Sequence, residues 1–303
     1  MRTVYLGTSE FATTVLRRLA ASAHKPDLVV TPPDRRRGRG RRELPPPAAA
    51  TAGELGIPLL QSENVNAEDA LARIRAARPE ALVVCAFGQL IREPLLAEFP
   101  ILNVHPSLLP RWRGAAPIER AIMAGDRETG VCIMRLTAGL DAGPVALCEP
   151  VAIGSDDDFA ALSERLAGLG GELLVRALDR QAEGSLEWAE QDEGAVTYAE
   201  KIDPAERRLD PARPAAELAA KVRALTPHVG GYLETADGER LGVKRARAVP
   251  GRGVPGTVMR SDDPVLQVAC GEGVLQLDVV QPPGGKPMPA DAYLRGHEPP
   301  VLA

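Results

Sequence analysis

The first half of the chain alternates short apolar runs with segments of helical periodicity, and this alternation constrains the fold more than any other feature. The apolar runs include TVYLG, PDLVVT, EALVVCAFG and ILNVH, and helical patterns such as FATTVLRRLAAS lie between them. This order predicts βαβ units, in which parallel strands form a sheet that helices cover. The first turn lacks GxGxxG and no GxxxxGK[ST] occurs. We therefore predict a Rossmann-like sheet without a dinucleotide or P-loop nucleotide site.

The pattern changes after residue 183. Residues 184–206 carry no sustained period, and the rest of the chain has one helical stretch followed by short alternating segments spaced by Gly and Pro. Such segments predict a small β-barrel. The predicted class is α/β, with a Rossmann-like, mostly parallel domain over 1–183, a linker over 184–206 and a C-terminal, OB-like β-barrel over 207–303.

Composition narrows the classes of protein to consider. The 303 residues are 45% hydrophobic and 25% charged, a balance that suits burial of a core in one large or two ordinary domains. No apolar run reaches the ~18 residues of a membrane span. The N-terminus also lacks the layout of a secretory signal. We expect a cytoplasmic protein with no membrane partner.

The cysteines and histidines are few and show no metal-binding spacing. No CxxC pair and no HExxH occurs, and only four histidines are present. We expect reduced, buried thiols rather than disulfides, and no metal site. The four cysteines are Cys85, Cys132, Cys148 and Cys270.

Residues 35–42 read RRRGRGRR, six arginines in a chain whose net charge is −5. A sharply basic stretch on an acidic protein favours a local anionic target, such as a phosphate backbone. A solvated charge run explains the same composition equally well. The sequence pattern leaves both interpretations open.

A polar pair ends one predicted strand, in NVHPSLLPRWRGAAP (103–117). Asn103 and His105 are two residues apart, so in a strand they share a face. Ligands of open parallel sheets bind beyond the carboxyl ends of the strands. An amide and an imidazole suit a reaction in which a carbonyl oxygen gains negative charge. The alternative is that Asn103 caps a turn and His105 is a satisfied polar group.

Two further features adjoin this pair. Asp141 lies in the glycine-framed stretch RLTAGLDAGPV and could orient His105 and take a proton, although an ordinary turn explains it when it is taken alone. Pro106 and Pro110 restrict the loop between them. A rigid loop with available backbone groups can bind a flat heterocycle or shape a substrate cleft.

These motifs together resemble the formyltransferases that use 10-formyltetrahydrofolate, whose signature includes Asn-x-His, the SLLP loop and the later Asp. Three more stretches, TPPDRRRGRGRREL, RWRGAAPIERAIMAGDRETGV and VTYAEKI, are similar to the methionyl-tRNA formyltransferase family. The resemblance covers nearly the whole chain. It implies transfer of a formyl group from 10-formyltetrahydrofolate to the α-amine of methionine on initiator tRNA, without a metal, for translation initiation.

The resemblance also implies that 1–183 is the formyltransferase catalytic domain and that 207–303 is a tRNA-binding domain, and it implies roles for residues. Asn103 and His105 would stabilise an oxyanion, while Asp141 would orient His105 and help to remove the amine proton. The implied folate contacts are Ser107, Leu108, Leu109 and Pro110, with Phe87, Gly88, Gln89 and Leu90. The implied tRNA contacts are Arg36, Arg37, Arg39, Arg41 and Arg42, with Lys244, Arg245 and Arg247. We expect a monomer.

Two alternatives stay open at this point. One is a sugar-amine or other small-molecule formyltransferase with the same folate site, which would need neither a basic loop nor a basic barrel face. The other is a folate-binding or RNA-binding module without catalysis. Activity on formyl-folate with and without charged tRNA separates all three.

Overall fold

A computed structural model of the chain describes residues 1–37, 42–259 and 264–303, except the side chains of Arg37 and Arg42. The strands are β1 (Thr3–Gly7), β2 (Leu28–Thr31), β3 (Arg35–Arg37), β4 (Arg42–Leu44), β5 (Leu59–Gln61), β6 (Ala81–Cys85), β7 (Ile101–His105), β8 (Arg113–Gly114), β9 (Glu128–Arg135), β10 (Val145–Ala152), β11 (Tyr198–Ala199), β12 (Gly231–Glu234), β13 (Arg240–Val249), β14 (Val258–Met259), β15 (Leu266–Ala269), β16 (Val274–Gln281) and β17 (Met288–Pro289). The helices are α1 (Glu10–Ala20), α2 (Pro47–Glu54), α3 (Glu68–Ala76), α4 (Leu95–Glu98), α5 (Pro117–Met123), α6 (Phe159–Glu183), α7 (Ala215–Leu225) and α8 (Ala290–Gly296), with 3₁₀ turns at Glu193–Ala195 and Pro204–Arg207.

The N-terminal sheet has seven strands in the order β10-β9-β7-β6-β1-β2-β5. The strands from β7 to β5 pair in parallel, and β9 runs antiparallel to β7. Every residue of β1, β2, β6 and β7 is buried. Strands buried on both faces explain the unbroken apolar runs, and the mostly parallel sheet predicted from them is confirmed.

Helix α1 illustrates how local sequence sets an element. The Ser9 hydroxyl accepts a hydrogen bond from the Ala12 amide, which caps the first turn, and Arg17 and Arg18 lie in the last turn, where cations oppose the helix dipole. Val15, Leu16 and Leu19 form its buried stripe. The longest helix is α6, of 25 residues. Over 1–37, 42–259 and 264–303, no helix has both the length and the apolar character of a membrane span.

The C-terminal sheet is antiparallel in every pair, with the order β12-β13-β16-β15-β14, and β17 pairs with β16. The register of β13 against β16 shifts between Val243 and Ala246. Bulges of this kind bend a strand and increase its twist, and the sheet curls into a half-barrel around apolar side chains. The predicted small C-terminal barrel is confirmed. Its core includes Leu218, Val222, Leu233, Val243 and Leu277.

The chain divides into two compact units that are interleaved in sequence. One comprises 1–114, 129–152 and 163–198, and the other 115–128, 153–162 and 199–303. Within the second unit, α5 packs against α7. There the Arg120 guanidinium pairs with the Glu206 carboxylate at 2.6 Å. The predicted domain boundaries at 183/184 and 206/207 stay predictions.

The cysteine prediction is wrong for one pair. Cys132 on β9 and Cys148 on β10 form a disulfide, with 4.1 Å between their Cα atoms. Which residues of two neighbouring strands lie side by side depends on the register between the strands, and no sequence pattern indicated that these two cysteines face each other. Cys85 and Cys270 are buried thiols.

Candidate active site

Asn103 and His105 lie at the carboxyl end of β7, where that strand is flanked by β6 and β9. Both belong to a strand that is buried throughout, with exposures of 7% and 4%. Their spacing places the amide and the imidazole on one face of the sheet. A buried amide and imidazole at a strand end are well placed to interact with a carbonyl group.

The two ring nitrogens of His105 have different surroundings. Nε2 lies 3.0 Å from the backbone oxygen of Trp112, and a carbonyl oxygen can only accept a hydrogen bond. Nε2 therefore carries a proton and donates it to that bond. Nδ1 lies 3.6 Å from Oδ2 of Asp141. The ring nitrogen that is not engaged with Trp112 is thus the one that faces the Asp141 carboxylate.

Asp141 is held in the loop between β9 and β10. Its Oδ2 accepts a hydrogen bond from the Gly114 amide at 2.9 Å, and its side chain is 13% exposed. Its φ of 46° is in the left-handed region, which a non-glycine residue adopts at a cost. Nearby, a methyl group at Gly143 would overlap the carbonyl oxygen of Arg135, so that position requires glycine.

Trp112, whose carbonyl holds His105, is also in the left-handed region, with a φ of 64°. Its amide donates to the hydroxyl of Thr197 at 2.9 Å, and the Arg111 guanidinium lies 4.4 Å from the centre of its ring. Trp112 and Asp141, which contact the two ring nitrogens of His105, therefore share an unusual backbone conformation.

The predicted folate loop, Ser107 to Pro110, is fixed from within. The Ser107 hydroxyl is fully buried and donates to the Arg111 carbonyl oxygen at 2.6 Å. Leu108 packs against Gly130 on β9, where a methyl group would overlap both the leucine and the Glu149 carbonyl oxygen. These two side chains shape the loop, in which Leu108, Leu109 and Pro110 are partly exposed and Ser107 is buried.

The second predicted folate segment follows β6. Phe87 belongs to the core at 2% exposure, and its carbonyl oxygen accepts from the Thr8 hydroxyl. The Gln89 amide donates to the Ser62 carbonyl oxygen and accepts from the Val65 amide, so it secures a neighbouring loop. The segment also includes Gly88, at a φ of 78°, and Leu90, at 65% exposure. Its polar side chain and the carbonyl oxygens of Phe87 and Leu90 are engaged within the protein, and Leu90 presents the exposed side chain.

The predicted RNA-contact residues divide between two places. Strands β3 and β4 form an antiparallel hairpin, and the exposed Arg36 lies opposite Glu43 in its register. Arg39 and Arg41 lie outside the described residues, and the side chains of Arg37 and Arg42 do as well.

The other predicted RNA contacts lie on β13. The side chains of Arg245 and Arg247 are 72% and 64% exposed. Their Nε atoms lie 3.9 Å and 3.8 Å from the carboxylate of Asp278 on β16. Lys244 is partly buried. Sequence reasoning missed Asp278, which partly offsets the charge of the two exposed arginines.

Sequence reasoning also missed a set of polar residues beside the site. The Gln191 amide nitrogen donates to the carbonyl oxygens of Asp141 and Gly143, at 2.8 Å and 2.7 Å. Buried Arg113 contacts both Gln191 and Glu193. Gln191, Glu193 and Thr197 come from the stretch that shows no period. Thr197 falls within the family-like run VTYAEKI, but that resemblance assigned it no role, and no motif includes Gln191 or Glu193.

Comparison with known proteins gives two family matches. The family described as "Formyl transferase" matches residues 1–178, and "Formyl transferase, C-terminal domain" matches residues 201–298. The chain is 44% identical over 300 residues to a protein of Methylobacillus flagellatus named "Methionyl-tRNA formyltransferase", which covers 98% of this chain and 97% of that protein.

Solved structures share the fold at much lower identity. An N-formyltransferase from Helicobacter canadensis, in complex with folinic acid and dTDP-3-aminofucose, has a TM-score of 0.63 at 14% identity and covers 91% of this chain and 98% of its own. HypX from Aquifex aeolicus, in complex with tetrahydrofolic acid, has a TM-score of 0.66 at 16% identity and covers 97% of this chain and 47% of its own. At identities this low, the matches show a shared fold only.

Proposed function

This chain belongs to the formyl transferase family, and we propose that within it the chain transfers the formyl group of 10-formyltetrahydrofolate to the amino group of methionyl initiator tRNA. Relatives named for that reaction match over 98% of the chain. The observation that carries the chemistry is the arrangement of His105, with its Nε2 held by a carbonyl oxygen and its Nδ1 facing Asp141.

The proposed reaction is an acyl transfer in which the amine attacks the formyl carbon. The carbonyl oxygen gains negative charge, and the Asn103 amide and protonated His105 stabilise it. Asp141 orients the imidazole of His105 and helps to take the amine proton. A bond forms between the methionyl nitrogen and the formyl carbon, the bond from that carbon to N10 of the folate breaks, and the proton ends on the folate nitrogen.

The folate would lie at the carboxyl ends of β6 and β7, where two loops follow neighbouring parallel strands. The segments are Phe87 to Leu90 and Ser107 to Pro110. Ligand sites in open α/β sheets occur at this edge. The internal bonds of Ser107 and Gln89 give both loops a fixed shape, which suits a rigid heterocycle.

The tRNA would be bound through phosphate contacts in two regions. The stretch of arginines over 35–42, including Arg36, Arg37, Arg39, Arg41 and Arg42, would contact the acceptor stem. Lys244, Arg245 and Arg247 would contact the backbone elsewhere, and the exposure of the two arginines supports this. A monomeric state and a cytoplasmic location are consistent with this substrate and stay predictions.

The experiment compares acceptors under one set of conditions. Purified protein is mixed with 10-formyltetrahydrofolate and methionyl initiator tRNA, a dTDP-linked amino sugar, or no acceptor. We expect N-formylmethionyl-tRNA and no formylated sugar. Formylation of the sugar alone would support a small-molecule formyltransferase, and folate or tRNA binding without transfer would support a binding module.

A further inference from the structure

The segment 191–197, which we name the strap, contacts the backbone next to both members of the candidate catalytic pair, His105 and Asp141. It belongs to the same compact unit as β7 and the Asp141 loop. It contains one 3₁₀ turn, Glu193–Ala195, and lies within the stretch where sequence analysis found no period. Its side chains make the contacts that hold the backbone on either side of His105.

The first arm of the strap is Gln191. Its amide nitrogen donates to the carbonyl oxygens of Asp141 and Gly143 at 2.8 Å and 2.7 Å, so both of its hydrogens are used. Asp141 has a φ of 46° and its carboxylate faces His105. Fixing its carbonyl group restrains the rotation that would carry the carboxylate away from the imidazole.

Arg113 determines which way the Gln191 amide points. Its Nε donates to the Gln191 amide oxygen at 3.0 Å, and its terminal nitrogens pair with the Glu193 carboxylate. Arg113 is 2% exposed, whereas the side chain of Glu193 is 71% exposed. A guanidinium can only donate, so the amide oxygen must face Arg113 and the amide nitrogen must face the two carbonyl oxygens.

The second arm is Thr197. Its hydroxyl accepts a hydrogen bond from the Trp112 amide at 2.9 Å, and its carbonyl oxygen accepts from the Arg113 amide at 2.9 Å. Trp112 is in the left-handed region, at 64°, and its carbonyl oxygen holds Nε2 of His105. Non-glycine residues keep such a conformation only where their surroundings enforce it.

We propose that the strap positions the catalytic pair. Gln191 holds Asp141 in place, and Thr197 holds His105 in place through Trp112. Neither residue touches the reacting atoms in this scheme. The inference rests on the proposed function for the reaction that the pair performs. The geometry that the strap enforces is a property of the free protein and does not depend on the reaction.

The kinetic experiment uses the full chain and near-isosteric changes. Gln191→Glu replaces the amide nitrogen, with its two N–H donors, by an oxygen, and so places a carboxylate next to the two carbonyl oxygens. Thr197→Val removes the acceptor for the Trp112 amide. Gln181→Glu, on α6 in the same unit, is the matched control. We expect Gln191→Glu to lower kcat by ~10- to 10²-fold and Thr197→Val by ~10-fold. The KM values for folate and tRNA should change by less than about threefold, and the control should match the wild type.

A double-mutant cycle separates positioning from general loss of structure. If Gln191 acts through Asp141, Gln191→Glu should lower kcat less than about twofold further in an Asp141→Asn background. Multiplying effects would overturn the proposal for Gln191, as would an unchanged kcat in the single variant. An unchanged kcat in Thr197→Val would overturn the second arm.

A spectroscopic measurement on the free protein tests the geometry without the reaction. The ring ¹⁵N shifts of His105 in Gln191→Glu should move toward those of Asp141→Asn, and Gln181→Glu should leave them at the wild-type values. Unmoved shifts would overturn the inference even if the wild type formylates tRNA. Shifted signals in a protein that does not formylate tRNA would reject the proposed function and keep the strap's effect on the pair.

Discussion

The backbone carbonyl oxygen of Trp112 accepts a hydrogen bond from Nε2 of His105 at 3.0 Å. This contact commits one ring nitrogen to the protein and leaves Nδ1 as the nitrogen that can change its protonation during the reaction. Since Nδ1 faces Asp141 at 3.6 Å, the carboxylate is placed to stabilise the ring when it is protonated.

The first prediction concerns that carboxylate. Asp141→Asn removes its charge while an oxygen can still accept from the Gly114 amide. We expect kcat for methionyl-tRNA formylation to fall by ~10² with little change in the thermal midpoint. Asp27→Asn, at an exposed position in the same unit, should match the wild type. A folded Asp141→Asn variant with full turnover would reject the assignment.

The second prediction concerns the contact between Leu108 and Gly130. Gly130→Ala places a methyl group against Leu108 and the Glu149 carbonyl oxygen. We expect a loss of ~1–3 kcal/mol in the free energy of unfolding, together with weaker folate binding, because the loop must shift. Gly168→Ala, in α6, adds a methyl group that meets no atom within 4 Å, and should instead stabilise the protein by ~0.5–1 kcal/mol. Denaturant titration and folate binding measure both.

The third prediction concerns the charges on the curled sheet. Arg245→Gln with Arg247→Gln should weaken tRNA binding and reduce the slope of log Kd against log salt by about two, since each phosphate contact contributes roughly one. Asp278→Asn should act in the opposite direction, because the carboxylate between the two arginines is neutralised. Arg73→Gln on α3 is the control. If Asp278→Asn weakens binding, the arginines do not contact phosphate in this way.

The fourth prediction concerns stability in acid. Hydrogen bonds from Arg120 lower the pKa of Glu206 below its ordinary value of 4.5. A carboxyl group with a lowered folded-state pKa stabilises the fold above its unfolded pKa, and this contribution is lost as the pH falls through the folded value. The stability difference between wild type and Arg120→Met should therefore be full at pH 7 and shrink below about pH 4.5. Urea titrations from pH 7 to pH 3 measure it.

The matched variant for this experiment is Arg213→Met, which removes an exposed i,i+4 pair with Glu217. Exposed pairs of this kind contribute little, so its effect should be small at every pH. An Arg120→Met curve parallel to that of the wild type down to pH 3 would contradict the assignment of Glu206.

The fifth prediction concerns the thiol at the end of β6. Burial raises the pKa of Cys85 to about 12, so at pH 8 only about 10⁻⁴ of it is thiolate. We expect no alkylation of Cys85 by iodoacetamide in the native protein and rapid alkylation after unfolding, read by mass spectrometry of its peptide. Rapid native labelling would show that this part of the sheet opens readily.

The regular elements could be predicted from sequence because burial imposes its period on the residues. The runs TVYLG and ILNVH are strands with no exposed residue, and most of the helical pattern FATTVLRRLAAS lies in α1. The pair Asn103 and His105 stood out because two polar residues ended an apolar strand. The hairpin of β3 and β4 was missed, since six arginines carry no alternation of polar and apolar residues.

The supporting contacts could not be predicted, since they join residues that are distant in sequence. Gln191 contacts Asp141 across fifty positions, and Asp278 lies near two arginines on another strand. Hydrogen bonds to backbone carbonyl groups impose no period on the sequence. The disulfide was missed for a related reason, because the facing of Cys132 and Cys148 depends on the register between two strands.

The interleaving of the two units has a consequence for the order in which the chain is synthesised. Helix α5 ends at Met123, and its partner α7 begins at Ala215, so roughly ninety residues separate them. At about 5–20 residues per second, several seconds pass between the emergence of the two helices from the ribosome. During that interval α5 lacks the helix against which it packs in the complete chain. In a nascent chain paused before residue 215, this helix would be accessible to a chaperone, and in the completed chain it would be packed against α7.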